Sequence, residues 1–197
     1  MAIERDLSKF YKANVVDSCA IWNIISTQLL LTMSYSVGCH FCCTDFVYYE
    51  CLYKPRTKVK TEDLALQELL REEMKAGNFK NYHLDIEDLQ EIEMLQNRKN
   101  LGKGELASIA FAKKTRQAFL TDDQGARKLA KEFLIHQMVQ TTVHLLGWLF
   151  FESFLSDSDL QRIIDEHKKY NGKLEPHFIE IYNRALDSRS KQHFSIK

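Results

Sequence analysis

Proline is nearly absent and glycine sparse in this chain, and neither sign of charge prevails: 197 residues hold 2 Pro, 7 Gly, and 27 Lys and Arg against 27 Asp and Glu. So few breakers, with 45% hydrophobic residues, exclude an extensively disordered chain, because disordered segments lack the apolar surface that offsets ordering entropy. The balanced charge removes any global positive field, so contacts with nucleic acid must come from local patches. No secretory apolar run follows Met1, and 5 Cys is an odd number; reduced thiols in a cytoplasmic protein are the expectation. Long hydrophobic runs are missing as well. The stretches Ile21 to Met33 and Val143 to Leu155 fall short of the roughly 20 residues that cross a bilayer, and Asn23, Gln28, His144 and Glu152 interrupt them. Both read as buried helices, with no membrane association expected. Repeats, low-complexity tracts and an interdomain linker are absent too, which leaves one domain with an appendage.

What is present is a series of short apolar runs that end in acids. Asn14-Val15-Val16 leads into Asp17 and then a long apolar stretch, which predicts a strand, a turn and a helix. Val37 to Cys43 predicts a second strand, followed by a helix through Phe46-Val47-Tyr48-Tyr49-Glu50-Cys51-Leu52. Thr61-Glu62-Asp63 caps a helix to about Lys75, Gly77 to Leu84 is a connector or short strand, and Asp85 caps a helix with Ile86, Leu89, Ile92 and Leu95 at three-residue spacing. Leu101-Gly102-Lys103-Gly104-Glu105 is a turn entering a helix of small residues. Ala118 to Thr121 is a strand that ends in Asp122-Asp123, Gln137 to Thr141 is a final short strand, and helices open at Thr142, Ser156-Asp157 and Glu175-Pro176. Alternating strands and helices with short connections predict an α/β fold whose mostly parallel sheet is covered on both faces.

The acids set against apolar neighbours carry the chemistry. A carboxylate after a core strand is costly to bury unless it is paired or binds a cation. Asp17, Glu50, Glu105 and Asp122 or Asp123 all have such neighbours. Gathered together they would repel one another and have raised pKa values unless a divalent ion neutralised them. Hard Mg²⁺ or Mn²⁺ suits an all-oxygen set and carries hydrolysis at phosphate.

In order and context these segments resemble the PIN-domain family over roughly 13–155, most specifically where Gly102-Lys103-Gly104-Glu105 is combined with Thr121-Asp122-Asp123. The resemblance implies a three-layer α/β/α nuclease domain over 1–155, with a central helical insertion at about 56–100 and a helical appendage, 156–197, packed on the same domain. It implies a metal-dependent endoribonuclease with Asp17, Glu50, Glu105 and Asp122 as the acidic quartet, Asp123 beside it as a further metal ligand, and Ser18 as the hydroxyl residue that follows the first acid. Single-stranded or structured RNA is the implied substrate. A role as a toxin or a defence nuclease, an antitoxin covering the acidic cleft, and a homodimer are further expectations of the same origin; the long central segment and the C-terminal helices depart from the compact toxin pattern. A degenerate interaction module that keeps the fold is the rival function.

Each residue also has a plainer reading. Asp17 can simply cap a helix, Glu50 can lie on a solvated face, Glu105 can be a first-turn acid favoured by the helix dipole, and one of Asp122 and Asp123 can be a cap with a solvated neighbour. Lys54, Arg56, Arg127 and Lys128 are candidate phosphate contacts, of which Arg127 and Lys128 sit closest to the acidic pair in sequence. Cys39 and Cys42 have the spacing of half a zinc site, but no second half exists. On a strand, Cys39 and Cys43 share a face that Cys42 does not, which favours buried thiols. The histidines have no ligand partner at useful spacing.

Overall fold

The computed structural model describes residues 6–55, 58–96 and 102–195. Arg56 and Leu101 lie outside the described residues, as does the side chain of Leu95. Strand β1 (Ala13–Val16) is followed by helices α1 (Ser18–Ile25) and α2 (Gln28–Ser36), strand β2 (His40–Thr44), helices α3 (Asp45–Leu52) and α4 (Thr61–Lys75), and strand β3 (Phe79–Tyr82). Helices α5 (Ile86–Gln96) and α6 (Lys103–Thr115) then lead to strand β4 (Ala118–Leu120), helix α7 (Gln124–Phe133) and strand β5 (Val139–Gln140), before helices α8 (Thr142–Phe151), α9 (Asp157–Lys169) and α10 (Glu175–Ser195).

The strands form one sheet in the order β3-β2-β1-β4-β5 with every pairing parallel. The chain winds outward from β1 to β3, returns, and continues on the other side through β4 and β5. The reversal falls between β1 and β4, where open α/β sheets leave a crevice outside the carboxyl ends of their strands. Alternation along the strands builds the layers. Val15, Cys42 and Phe119 share a core with α6 and α7, while Val16, Cys43 and Leu120 share the other with α1, α2, α8, α9 and α10. The cysteines divide as their strand spacing predicts, Cys39 and Cys43 on one side and Cys42 on the other, all buried thiols.

Two local expectations are corrected. The second strand begins at His40 rather than Val37, because α2 closes through a left-handed Gly38 (φ 84°). The amides of Gly38 and Cys39 return to the carbonyls of Tyr35 and Ser34, each at 2.9 Å, a termination that consumes Val37 to Cys39. In α5, Ile92 is buried but Ile86 and Leu89 are exposed. Strict three-residue spacing precesses around a helix of 3.6 residues per turn, so one position meets the core and those before it swing away.

Helix α8 is apolar all round because it is covered on every side, and among the described residues no helix is long and apolar enough to cross a membrane. Helix α10 lies along α8 so closely that a Cβ added to Gly147 would stand 2.5 Å from Ile181 Cγ1. Ile163, Ile164, Phe178, Ile181 and Ala185 of the C-terminal helices belong to the same core as Leu145 and Leu149.

Candidate active site

Four helices begin at the carboxyl edge of β1, β4 and β5 or beside it, and each starts next to an acid. Asp17 is the N-cap of α1, its extended backbone (φ −84°, ψ 171°) leaving the side chain free to accept from the Ala20 amide at 2.9 Å. Asp123 caps α7 in the same way, accepting from the Ala126 amide at 2.7 Å. Glu105, in the first turn of α6, reaches back to the Gly102 amide at 2.6 Å. Thr142, the first residue of α8, donates its amide to Asp122 Oδ1 at 3.0 Å and its hydroxyl to Oδ2 at 2.6 Å. Backbone donors that helix starts leave unsatisfied are thus spent on carboxylates, and the positive helix ends lower the repulsion among them.

Asp17 is only 2% exposed. Besides Ala20, it accepts from the Thr121 hydroxyl and from the Cys19 thiol, whose Sγ lies 3.1 and 3.3 Å from its two oxygens. Burial nevertheless pushes its pKa up to about 6, with the charge of Asp122 adding to the rise and the hydrogen bonds opposing it. The Cys19 thiol is pushed up by burial and then by Asp17, so it remains protonated and serves as a donor. Asp122 also accepts from the Asn23 side-chain amide at 2.8 Å. Thr121 joins both sides of the turn: its hydroxyl donates to Asp17 and accepts from the Asp123 amide at 3.1 Å.

The second group of acids comes from helices α3 and α6. Gly104 lets the start of α6 approach Glu50 so tightly that a Cβ there would lie 2.7 Å from Glu50 Oε2, and a Cβ on Gly102 would lie 3.1 Å from Glu105 Oε2. Both glycines of the Gly102-Lys103-Gly104-Glu105 turn therefore leave space that carboxylates fill. Burial raises the Glu105 pKa, and Asp123 and Glu50 raise it further against the Gly102 amide. Asp17 with Asp122, and Glu50 with Glu105 and Asp123, are two electrostatically coupled groups along one edge.

Ser18 opens α1 without a hydrogen bond to Asp17 among the described residues; Cys19 takes that position. Lys54 lies 3.7 Å from Glu50 and so stands beside an acid. Arg127 donates to the Asp122 carbonyl at 2.6 Å, bracing the turn, and Lys128 is exposed. Thr142, Asn23 and Cys19 went unread as site residues, and Gly104 and Thr121 were read only as parts of motifs. The one signal that could have found them is a polar residue in an otherwise apolar setting: Asn23 within α1, and Thr121 and Thr142 after short strands.

Among the described residues no three of His, Cys, Asp and Glu come close enough together to form a ready ion cage, which is the arrangement structural zinc requires. Magnesium and manganese ask less of a protein, since Mg²⁺ keeps much of its water and takes one or two carboxylates. The donor set fits that demand: carboxylate oxygens only, buried at Asp17 and half-buried at Glu105, Asp122 and Asp123, with no ion pair to any of the four among the described residues. Asp17 and Asp122, or Glu105 and Asp123, are the residues that could hold such a cation.

A family model described as DUF3368, PIN domain, matches residues 13–186. Searches of curated proteins and of solved structures returned no match. The matched span begins with β1, includes every acid described above and ends within α10, and on that span the chain belongs to the PIN domain family, a family of the nuclease type.

Proposed function

We propose that this protein is a metal-dependent endoribonuclease that hydrolyses phosphodiester bonds in single-stranded RNA at the carboxyl edge of β1 and β4. The observation that supports this reading is that acids from distant parts of the chain form two coupled groups, Asp17 with Asp122 and Glu105 with Asp123 and Glu50, at or beside the edge where the strand order reverses. A bound Mg²⁺ or Mn²⁺ supplies neutralising charge and Lewis acidity for the attack of water on phosphate.

The protein's own groups do the rest. Fixed donors hold the Asp17 and Asp122 carboxylates in one orientation, so no reorganisation is needed when a cation or phosphate arrives. Glu105, fixed by the Gly102 amide at 2.6 Å and set beside Asp123 and Glu50, is poised to take up a cation, whose charge would offset the repulsion that raises its pKa. Glu50, held against α6 by the space at Gly104, fixes the electrostatic environment of Glu105.

A second reading, an interaction module that keeps the fold without cutting, draws on one observation: the oxygens of Asp17 and Asp122 already accept hydrogen bonds from protein donors. Cleavage of a labelled mixed-sequence RNA by wild type and Asp17→Asn, in EDTA, Mg²⁺ or Mn²⁺, separates the two. The expected outcome is cation-dependent cutting that falls by at least about a hundredfold in the variant. Cutting equal in both proteins, or in EDTA, removes the assignment, and a wild type that neither cuts nor gains thermal stability from cations leaves the interaction module.

A further inference from the structure

Beside the acids lies a cavity of about 480 Å³, walled by α1, α4, the Asp122-Asp123 turn and the turn that joins α9 to α10. We propose that this cavity is a nucleotide subsite that receives one unpaired base and its phosphate, with Trp22 and Tyr170 as stacking surfaces and Lys173 as the phosphate contact. The proposal rests on the nuclease reading and names the part of the substrate that the C-terminal helices recognise.

Three observations converge on it. The volume falls within the roughly 300–1,000 Å³ of pockets that enclose one small ligand and is far too small for a duplex. Trp22 and Tyr170 are both half-buried and both line the cavity, which is how proteins bind splayed single-stranded bases. Lys173 is exposed at the rim and forms no ion pair among the described residues.

The wall is built rigidly. Tyr170 and Gly172 donate their amides to the His167 carbonyl at 3.2 and 3.0 Å, and the Leu174 amide donates to His167 Nε2 at 3.3 Å. Asn171 adopts a left-handed conformation (φ 60°), and a Cβ on Gly172 would land on the His167 ring, so only glycine fits there. Buried His167 is in turn tied to the acids. Its Nδ1 lies 2.8 Å from Ser26 Oγ, that hydroxyl donates to the Asn23 carbonyl at 2.9 Å, and the Asn23 amide reaches Asp122. Because the Ser26 proton is committed to Asn23, His167 donates from Nδ1 and accepts at Nε2, one neutral tautomer that serves both contacts.

The charges in the cavity set a condition. Asp63, Asp122 and Asp123 face one ammonium, Lys173, so an anionic strand is attracted only once a divalent cation offsets the acids.

The test is a titration of a short, mixed-sequence 2′-O-methyl, phosphorothioate-linked oligonucleotide into the full chain, followed by tryptophan emission, with RNA cleavage measured in parallel. In Mg²⁺, binding should quench emission in wild type and leave it unchanged in Trp22→Phe. Lys173→Glu should weaken binding by about tenfold and flatten its salt dependence by roughly one counterion. EDTA, or the same sequence as a duplex, should abolish the quench. Cleavage with an unquenched Trp22 and with Lys173→Glu binding as tightly as wild type overturns the subsite while leaving the nuclease standing. Equal quenching by the duplex also overturns it, and neither cutting nor binding in Mg²⁺ overturns both.

Discussion

Asp17 is well supplied with hydrogen bonds and still titrates at about 6, against about 3.9 in an unfolded chain. The folded state therefore holds a proton that the unfolded state releases between these values, and this contribution to stability is complete below about pH 4 and lost as the pH rises through 6. A difference of about two units costs about 3 kcal/mol at neutral pH. Asp17→Asn keeps the cap to Ala20 and removes the buried charge. In chelator, its unfolding free energy in urea should exceed that of wild type by about 1–3 kcal/mol at pH 7 and show no gain at pH 4; an equal difference at both pH values would show that the charge is not responsible. The acids stood out in the sequence because each follows, opens or interrupts an apolar run. Their donors were not, since Asn23 and Thr142 meet Asp122 across long stretches of chain. Arg127, a candidate phosphate contact, spends one N–H of its guanidinium on the Asp122 carbonyl in its own turn, which sequence spacing alone does not show.

Helix α6 meets α3 through a missing side chain. Gly104→Ala improves intrinsic helix propensity by up to about 1 kcal/mol but sets a Cβ 2.7 Å from Glu50 Oε2, a contact that must be relieved by moving the carboxylate. If Glu50 swings away, stability changes little while cleavage falls by tenfold or more; if the helix moves instead, the protein loses about 1–3 kcal/mol. Melting and cleavage measured together distinguish these outcomes, and a variant with wild-type values for both would remove Glu50 from the site. The same contact shows where sequence patterning stops. Strand alternation at Val15-Val16, Cys42-Cys43 and Phe119-Leu120 could be read directly, because period two maps onto the two faces of a sheet. The start of β2 and the exposed face of α5 could not, because a helix termination and a helical precession decide them.

The C-terminal helices share the core on which α8 lies. Ending the chain at Leu155 would remove Ile163, Ile164, Phe178 and Ile181, all at most 5% exposed. At about 1.5–3 kcal/mol for each buried side chain, the loss is comparable to the roughly 5–15 kcal/mol that stabilises an ordinary domain. A chain of residues 1–155 should show no cooperative thermal transition by circular dichroism, whereas melting at the wild-type temperature would make 156–197 a separable appendage. Sheet order has a further consequence during synthesis. β1 emerges first yet pairs with β4, Asp122 waits for Thr142, and the wall at Tyr170 to Leu174 comes later still. At about 5–20 residues per second on the ribosome, Asp17 precedes the completed crevice by roughly 10–30 s, so a nascent chain carries every acid well before the donors and the wall that complete the crevice around them have been made.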